Sequence, residues 1–480
     1  MLAASIREAA RRFGDRPLLI DAAGRPWSYA EVDARSDAVA VGMTRAGVRE
    51  RDVVALTLPS IPEYVVAYLA AVKVGAAAAG VNTRLAPGER AALVEMVDAR
   101  LVVESADQVD ELASVAGDAA DLVALPDDLS RPVAVVFTSG TTGLPKGAVF
   151  DEARIAAICA VDVGLDAWDG GGPMLASTEF CHIGFTTKLA WYLRLGATQV
   201  LMDRWRPEEA LRLAARHRMA ALGGVPSQFA LMLRSPAFDD TDLGALTAVT
   251  LGGGPASPAL RAEIIERFGA ELSVRYSSTE SGGCGTGTTF GATDAEALSS
   301  EGRPRGPIEV AIRDEDGAGA PPGEVGEVCL RSPTTMVGYW RDPEATAAAF
   351  HPDGFLRTGD LGHLDDAGCL RLAGRVKEMY VRGGYNVYPA QVEAVLSQHP
   401  QIVDVAVAPR ADEVMGEVGV AVVVSSGAAP TIEALREFAA PHLAAYKLPE
   451  HVVVVDALPL TAMHKLDRRA LEALAAESPG

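Results

Sequence analysis

Residues 133–137 form an unbroken apolar run that leads directly into Thr138-Ser-Gly-Thr-Thr-Gly-Leu-Pro-Lys146-Gly147. A short apolar run closed by a glycine turn suits a strand buried on both faces. Such a strand needs cover above and below, which restricts the chain to layered folds with helices packed on a sheet. The turn itself carries chemistry. Glycines let successive backbone N–H groups converge on one concavity that binds anions. The hydroxyls of Ser139, Thr141 and Thr142 add donors, Gly140 and Gly143 supply the turns, and Lys146 adds a positive charge. That combination suits a polyphosphate. It is not a Walker A loop, because the Gly-to-Lys spacing differs and no hydroxyl follows Lys146.

The strand is one unit of an alternating pattern. Asp151 is placed to cap a helix with Ile155, Ile158 and Cys159 on one face. Residues 207–217 read as a helix and 219–225 as the strand that follows. This alternation favours parallel, doubly wound sheets with helices on both faces. Residues 301–374 differ, being rich in Gly and Pro with short alternating runs at 308–313 and 325–331. They read as a small β barrel or β subdomain. Beyond 374 the pattern predicts helices at 389–397 and 431–443, with strands at 403–408, 418–424 and 452–455. At 480 residues the chain has room for two to four domains. The expected division is a large α/β N-terminal domain over 1–374, a hinge at 375–377, and a small mobile α+β domain over 378–480.

Charge and cysteine content exclude several function classes. There are 43 Lys and Arg against 64 Asp and Glu, a net charge of −21. Nucleic acid and anionic membrane are poor partners for such a chain, because each phosphate contact needs a local cation. Residues 101–130 hold eight acids and no Lys or Arg, which marks a solvated stretch. Five cysteines without a C-x-x-C pair point to reduced thiols, a cytoplasmic location, and neither a disulfide scaffold nor a zinc site. The N-terminal segment reads as a helix with interspersed charges rather than a signal peptide. Residues 64–81, broken by Lys73, Gly75 and Gly80, read as a buried helix and strand rather than a membrane span.

The 138–147 string and the motifs after it, in order, resemble those of the adenylate-forming superfamily of acyl-CoA synthetases, peptide-synthetase adenylation domains and luciferases. The likeness extends from Tyr29 to Leu471. It implies that Thr138, Ser139, Gly140, Thr141, Thr142, Gly143 and Lys146 hold the phosphates of ATP. Arg275-Tyr-Ser-Ser-Thr-Glu280 is similar to the family's Y-G-x-T-E motif. Tyr276 would stack on adenine, with Ser277 and Ser278 beside the nucleotide, Thr279 at the α-phosphate and Glu280 holding Mg²⁺. Ser277 stands where the family usually has Gly. Gly252-Gly-Gly-Pro-Ala256 resembles the turn bordering adenine, which assigns Gly253, Gly254 and Pro255. Arg357-Thr-Gly-Asp-Leu-Gly362 resembles the T-G-D motif, so Asp360 and then Arg375 would meet the ribose, with Lys377 as the hinge. Gly383 and Gly384 fall in the strip that lines the pantetheine tunnel of thioester-forming members. Pro459-Leu-Thr-Ala-Met-His-Lys465 resembles the closing motif, in which Lys465 would bridge the acyl carboxylate and the α-phosphate. His464 replaces the usual Gly there. Phe180-Cys-His182-Ile-Gly184 resembles the acyl-site segment, with His182 gating the carboxylate and then the thiol. No Phe-Asp pair stands there to meet an ammonium, which argues against an α-amino acid.

The resemblance implies a two-step ligase. A carboxylic acid would attack MgATP to give acyl-AMP and pyrophosphate, and CoA would then displace AMP. One alternative keeps adenylation and passes the acyl group to a carrier-protein pantetheine or another nucleophile. Another is a nucleotide-binding module without turnover. Fatty, aromatic and small branched acids all remain open, since fold-level analogy does not settle substrate. The residues that would decide, at 224–228, 252–254 and 281–289, cannot be placed from sequence.

Overall fold

The structure is a computed structural model. It describes all residues except 116, 118–121, 123–124, 139–144, 164–171, 315, 322, 384, 462–465 and 478–480, and backbone alone at 294 and 386. The apolar run at 133–137 becomes the strand Pro132–Thr138, inside a six-stranded sheet. On one side it pairs in parallel with Ala77–Gly80, followed by Val53–Leu56 and Leu101–Val103. On the other it meets Lys146–Asp151 and then Gly338–Tyr339, both antiparallel.

Small residues set how closely this sheet is covered. Ala and Gly are weak strand formers, yet residues 77–80 are Ala-Ala-Ala-Gly and fully buried. A Cβ on Gly80 would lie 2.3 Å from the Tyr64 hydroxyl and 2.7 Å from the Cys181 Cα. The close approach of neighbouring segments therefore calls for the glycine that ends this strand. The covering helix Pro62–Val74 starts on proline and ends at Gly75 with φ 83°, a left-handed C-cap. Its buried Lys73 is tolerated because it pairs with Asp33 at 2.6 Å and Asp37 at 2.7 Å. Asp151 caps the helix Glu152–Val163, with Oδ1 accepting from the Arg154 N–H at 2.9 Å. Ile155, Ile158 and Cys159 are buried as the spacing predicts.

A second sheet runs Ala221–Gly224, Ala248–Gly252 and Glu271–Tyr276 in parallel, with Thr286–Gly287 and Arg303–Pro304 added antiparallel. The helix Pro207–Arg216 precedes it as expected. The β subdomain is a four-stranded antiparallel sheet of Glu309–Arg313, Gly326–Arg331, Leu356–Leu364 and Leu370–Arg375. Its first and last strands do not pair, so among the described residues it is an open sheet. A fourth sheet joins the N-terminal hairpin Pro17–Ile20 and Pro26–Ser28 to Thr198–Val200 and Pro173–Leu175.

The C-terminal part is α+β. Tyr380–Arg382, Tyr385–Val387, Ile402–Asp412, Gly416–Ser425 and His451–Val454 form its sheet. The helices Pro389–Leu396, Ile432–Ala439 and Arg468–Ala476 belong to the same part, which carries its own apolar clusters. No described helix is long and apolar enough to cross a membrane. All five cysteines are free and buried.

Candidate active site

The hairpin that bears the glycine loop places Thr138 directly opposite Lys146. Ser139, Gly140, Thr141, Thr142 and Gly143 lie outside the described residues. The Lys146 ammonium sits 5.0 Å from the centroid of the Tyr339 ring, within cation–π range. The Tyr339 hydroxyl donates to Glu280 Oε1 at 3.0 Å. Burial, and then the Glu280 charge, push the pKa of this phenol up, so it stays a donor at neutral pH. One aromatic side chain thus brings together a cation expected at the polyphosphate and a carboxylate expected at the metal. Sequence reasoning missed Tyr339. Its only local signal is the Gly-Tyr-Trp stretch ahead of the helix Pro343–Ala349.

A second junction gathers the residues expected at adenine and ribose. Tyr276 is buried, and its hydroxyl donates to Asp360 Oδ2 at 2.8 Å. Arg375 Nε lies 2.8 Å from Asp360 Oδ1. Burial and the Asp360 charge raise the Tyr276 pKa well above the ordinary phenol value. Each carboxylate oxygen of Asp360 already accepts one hydrogen bond and keeps a lone pair for a ligand hydroxyl. The carboxylate is aimed locally as well, since Thr358 Oγ1 accepts from the Asp360 N–H at 3.1 Å and donates to the Val328 carbonyl at 2.6 Å.

Between these junctions runs the turn holding Ser277, Ser278 and Thr279. Ser278 and Ser281 exchange side-chain and backbone bonds at 3.0 and 3.1 Å. The N–H groups of Gly282 and Gly283 return to the Thr279 and Ser278 carbonyls. Both glycines have positive φ, 75° and 67°, which side-chain-bearing residues rarely adopt. Ser277 is not among the positive-φ residues, so the serine fits where the family usually has glycine. Gly252 lies opposite Arg275 in the second sheet, and Gly253, Gly254 and Pro255 continue from that strand as an exposed turn.

His182 precedes the short helix Ile183–Thr186, and its Nε2 lies 3.5 Å from Asn82 Nδ2. Ile183 packs against Gly283, where a Cβ would lie 3.5 Å from Ile183 Cγ1. The segment expected to face the acyl carboxylate therefore abuts the turn that carries Thr279 and Glu280.

In the C-terminal part, Lys377 lines a cavity of about 320 Å³ together with Glu378 and Arg468. Arg468 pairs with Glu378 at 3.2 Å and with Glu393 at 2.8 Å. This ties the start of the last helix to the segment just after Lys377. Gly383 has φ 56°, and its N–H donates to the Met415 carbonyl at 2.8 Å. Gly384, His464 and Lys465 lie outside the described residues. The flanks of Lys465 are held together, with Leu460 bridging Leu466 and the Asp467 N–H donating to the Pro459 carbonyl at 2.9 Å.

Among the described residues one group, Glu327, Cys329 and His351, has donor atoms close enough to share a cation. Its hydrogen bonds favour a different use. Arg357 Nη2 approaches His351 Nδ1 at 3.3 Å, which leaves Nε2 to carry the proton toward Cys329 Sγ at 3.5 Å. Glu327 Oε1 meanwhile accepts from the Gly359 N–H at 3.1 Å. The group braces the T-G-D turn.

Comparison with known proteins identifies the family. Residues 6–340 match the family described as AMP-binding enzyme, and residues 391–465 match its C-terminal domain. The chain is 31% identical over 500 residues to 4-coumarate–CoA ligase 1 of Solanum tuberosum, covering 96% of this chain and 91% of the relative. It is 32% identical over 482 residues to indoleacetate–CoA ligase of Aromatoleum aromaticum, covering 94% of each. Among solved structures, ATP-bound MatB from Rhodopseudomonas palustris superposes with a TM-score of 0.89 at 26% identity, covering 99% of both chains.

Proposed function

The chain belongs to the AMP-binding enzymes, adenylate-forming ligases that activate an acid as acyl-AMP and transfer it to CoA, and from that premise we propose how its own residues divide the work. The observation that carries the assignment is the pair of junctions, Tyr276–Asp360–Arg375 and Glu280–Tyr339–Lys146. The first is shaped for a nucleoside and the second for charged phosphates.

In the first step an oxygen of the substrate carboxylate attacks the α-phosphorus of ATP. The bond from that phosphorus to the bridging oxygen breaks, and pyrophosphate leaves. The Tyr276 ring supports adenine, and Asp360 accepts from the ribose hydroxyls while Arg375 and the Tyr276 hydroxyl fix its orientation. The loop from Thr138 to Gly143 and Lys146 hold the leaving phosphates. Thr279 contacts the α-phosphate, and Lys465 neutralises charge as it develops on the carboxylate and the phosphorus. Glu280 fits a Mg²⁺ ion, because a carboxylate oxygen suits a hard cation and Tyr339 holds Oε1 while Oε2 takes no partner among the described residues. When bound, the ion would offset phosphate charge.

In the second step the thiolate of CoA attacks the acyl carbon and AMP departs with the electron pair. We place the domain boundary at 374 and the pivot at Lys377. Rotation there withdraws Lys465 and brings Gly383 and Gly384 to the site as the wall of the thiol passage. His182 gates the acyl carboxylate and then the thiol. The test is ATP–pyrophosphate exchange across a panel of carboxylic acids, with mass detection of the CoA product. Exchange without CoA consumption would replace CoA by another acceptor. Absence of exchange with every acid tried would leave only a nucleotide-binding module.

A further inference from the structure

Next to the acyl-site segment lies a charged cluster that the assignment above leaves unused. Side chains alternate along a strand, so Arg275 points to the opposite side of its strand from Tyr276 and hence away from the Asp360 junction. Its guanidinium crosses Gly287, where a Cβ would lie 2.4 Å from Arg275 Nη1 and 3.1 Å from Arg305 Cδ. Arg305 reaches Asp162, with Nη2 at 3.5 Å from Oδ1. Lys188 reaches the same carboxylate at 2.7 Å, and its ammonium also donates to the Gly283 carbonyl at 3.2 Å and Cys284 Sγ at 3.3 Å. Two cations therefore share one carboxylate, a third, Arg275, lies beside Arg305, and all four side chains are largely buried. Lys188 and Arg305 are 12% and 13% exposed, and Asp162 is 4% exposed.

Among the described residues the charges of the cluster do not balance. Lys188 pairs with Asp162 Oδ2 at close range, and Arg305 lies at the longer distance from Oδ1. Arg275 pairs with no acid among the described residues, and its buried Nε has no hydrogen-bond partner. Burial, and then the neighbouring Arg305 charge, push its pKa down to about 9. A guanidinium is hard to deprotonate and costly to bury unpaired, and its planar fork matches a carboxylate. A structural ion pair would need only one of these cations.

The position indicates the missing anion. Gly283 touches Ile183, beside His182, on one side and the Lys188 side chain on the other. Gly252, opposite Arg275, lies at the turn toward adenine. The cluster therefore adjoins the acyl-site segment, and Arg275 lies on the face of its strand opposite Tyr276. Resting on the ligase assignment above, we infer that Arg275 and Arg305 form the far end of the acyl pocket, and that the substrate is an acid bearing a second anionic group, a dicarboxylate in the simplest case. One carboxylate is activated; the other pairs with the two guanidinium groups, while Lys188 and Asp162 hold the Gly283 wall in place. A purely aliphatic monoacid leaves Arg275 desolvated and unpaired.

The test compares straight-chain alkanoic acids with α,ω-dicarboxylic acids of the same carbon count, and benzoate with its carboxybenzoate counterparts, by ATP–pyrophosphate exchange. Members of the diacid series should show higher kcat/KM than their matched monoacids by about tenfold or more. Arg275→Leu should lower the diacid-to-monoacid ratio by about 10- to 100-fold, and Arg275→Lys should restore part of it. Arg305→Gln provides a second reading should Arg275→Leu fail to fold, with ATP binding as the check on folding. Matched monoacids used as well as or better than diacids, or a ratio unmoved in folded Arg275→Leu or Arg305→Gln, overturns the inference and leaves the ligase assignment standing. Absence of exchange with every acid of both series overturns both.

Discussion

Tyr339→Phe isolates one hydroxyl at the centre of the proposed phosphate site. The wild-type phenol donates to Glu280 Oε1 at 3.0 Å, while the ring stays under the Lys146 ammonium at 5.0 Å. Phenylalanine keeps the ring and removes only the donor. A hydrogen bond to a charged group is worth about 1.5–3 kcal/mol. Tyr339 is only half-buried, so the lower part of that range applies, and about 1.5 kcal/mol corresponds to about a tenfold change. The expected result is about a tenfold lower kcat/KM in ATP–pyrophosphate exchange and a higher Mg²⁺ requirement, because Glu280 is no longer held in place. Tyr339→Leu removes the cation–π contact too and should cost about a further two- to fivefold. Thermal melting should barely shift for the phenylalanine variant. Wild-type exchange in Tyr339→Phe at every Mg²⁺ concentration would refute a positioning role for the hydroxyl. Equal losses in the Phe and Leu variants would remove the ring from the argument instead.

Lys465→Ala should abolish adenylation and largely spare thioester formation from supplied acyl-AMP; equal loss of both steps would end its assigned role. A bulky residue at Gly384 should slow the thiol step more than adenylation, and unchanged CoA turnover would take Gly384 out of the passage. Glu152 gives a pH test of stability. Its Oε2 accepts from the Leu2 N–H at 2.8 Å, yet burial outweighs that bond and raises its pKa. The stability it contributes is therefore present below the ordinary Glu value and lost as pH rises through the raised value. Glu152→Gln keeps an acceptor without the charge, so its melting temperature should exceed the wild type's at neutral pH and converge with it in mild acid. A constant difference across that range would contradict the burial argument.

Much of the fold was legible because its signals are local. The 133–137 run predicts a buried strand, Asp151 a helix cap, and the pattern after 374 an α+β unit; each rests on side chains within one element. The β subdomain was legible only as β. Barrel closure depends on whether Glu309–Arg313 meets Leu370–Arg375, and no local pattern encodes that pairing. The fourth sheet went unforeseen for the same reason, since Pro17–Ile20 pairs with Thr198–Val200, 180 residues further along the chain.

The sequence by itself determined the family's motifs and their order, because the glycine loop, Tyr276 to Glu280 and Asp360 are each recognisable in a few consecutive residues. Only the tertiary structure decided how they work together. Tyr276 and Asp360, 84 residues apart, share a hydrogen bond because the second sheet and the β subdomain meet. Tyr339 reaches Glu280 because the short strand Gly338–Tyr339 adds to the edge of the first sheet. Arg275, Arg305, Lys188 and Asp162 carry no shared signature in the chain. They become one charged cluster because residues from four separate segments are buried together, where an unpaired charge is costly.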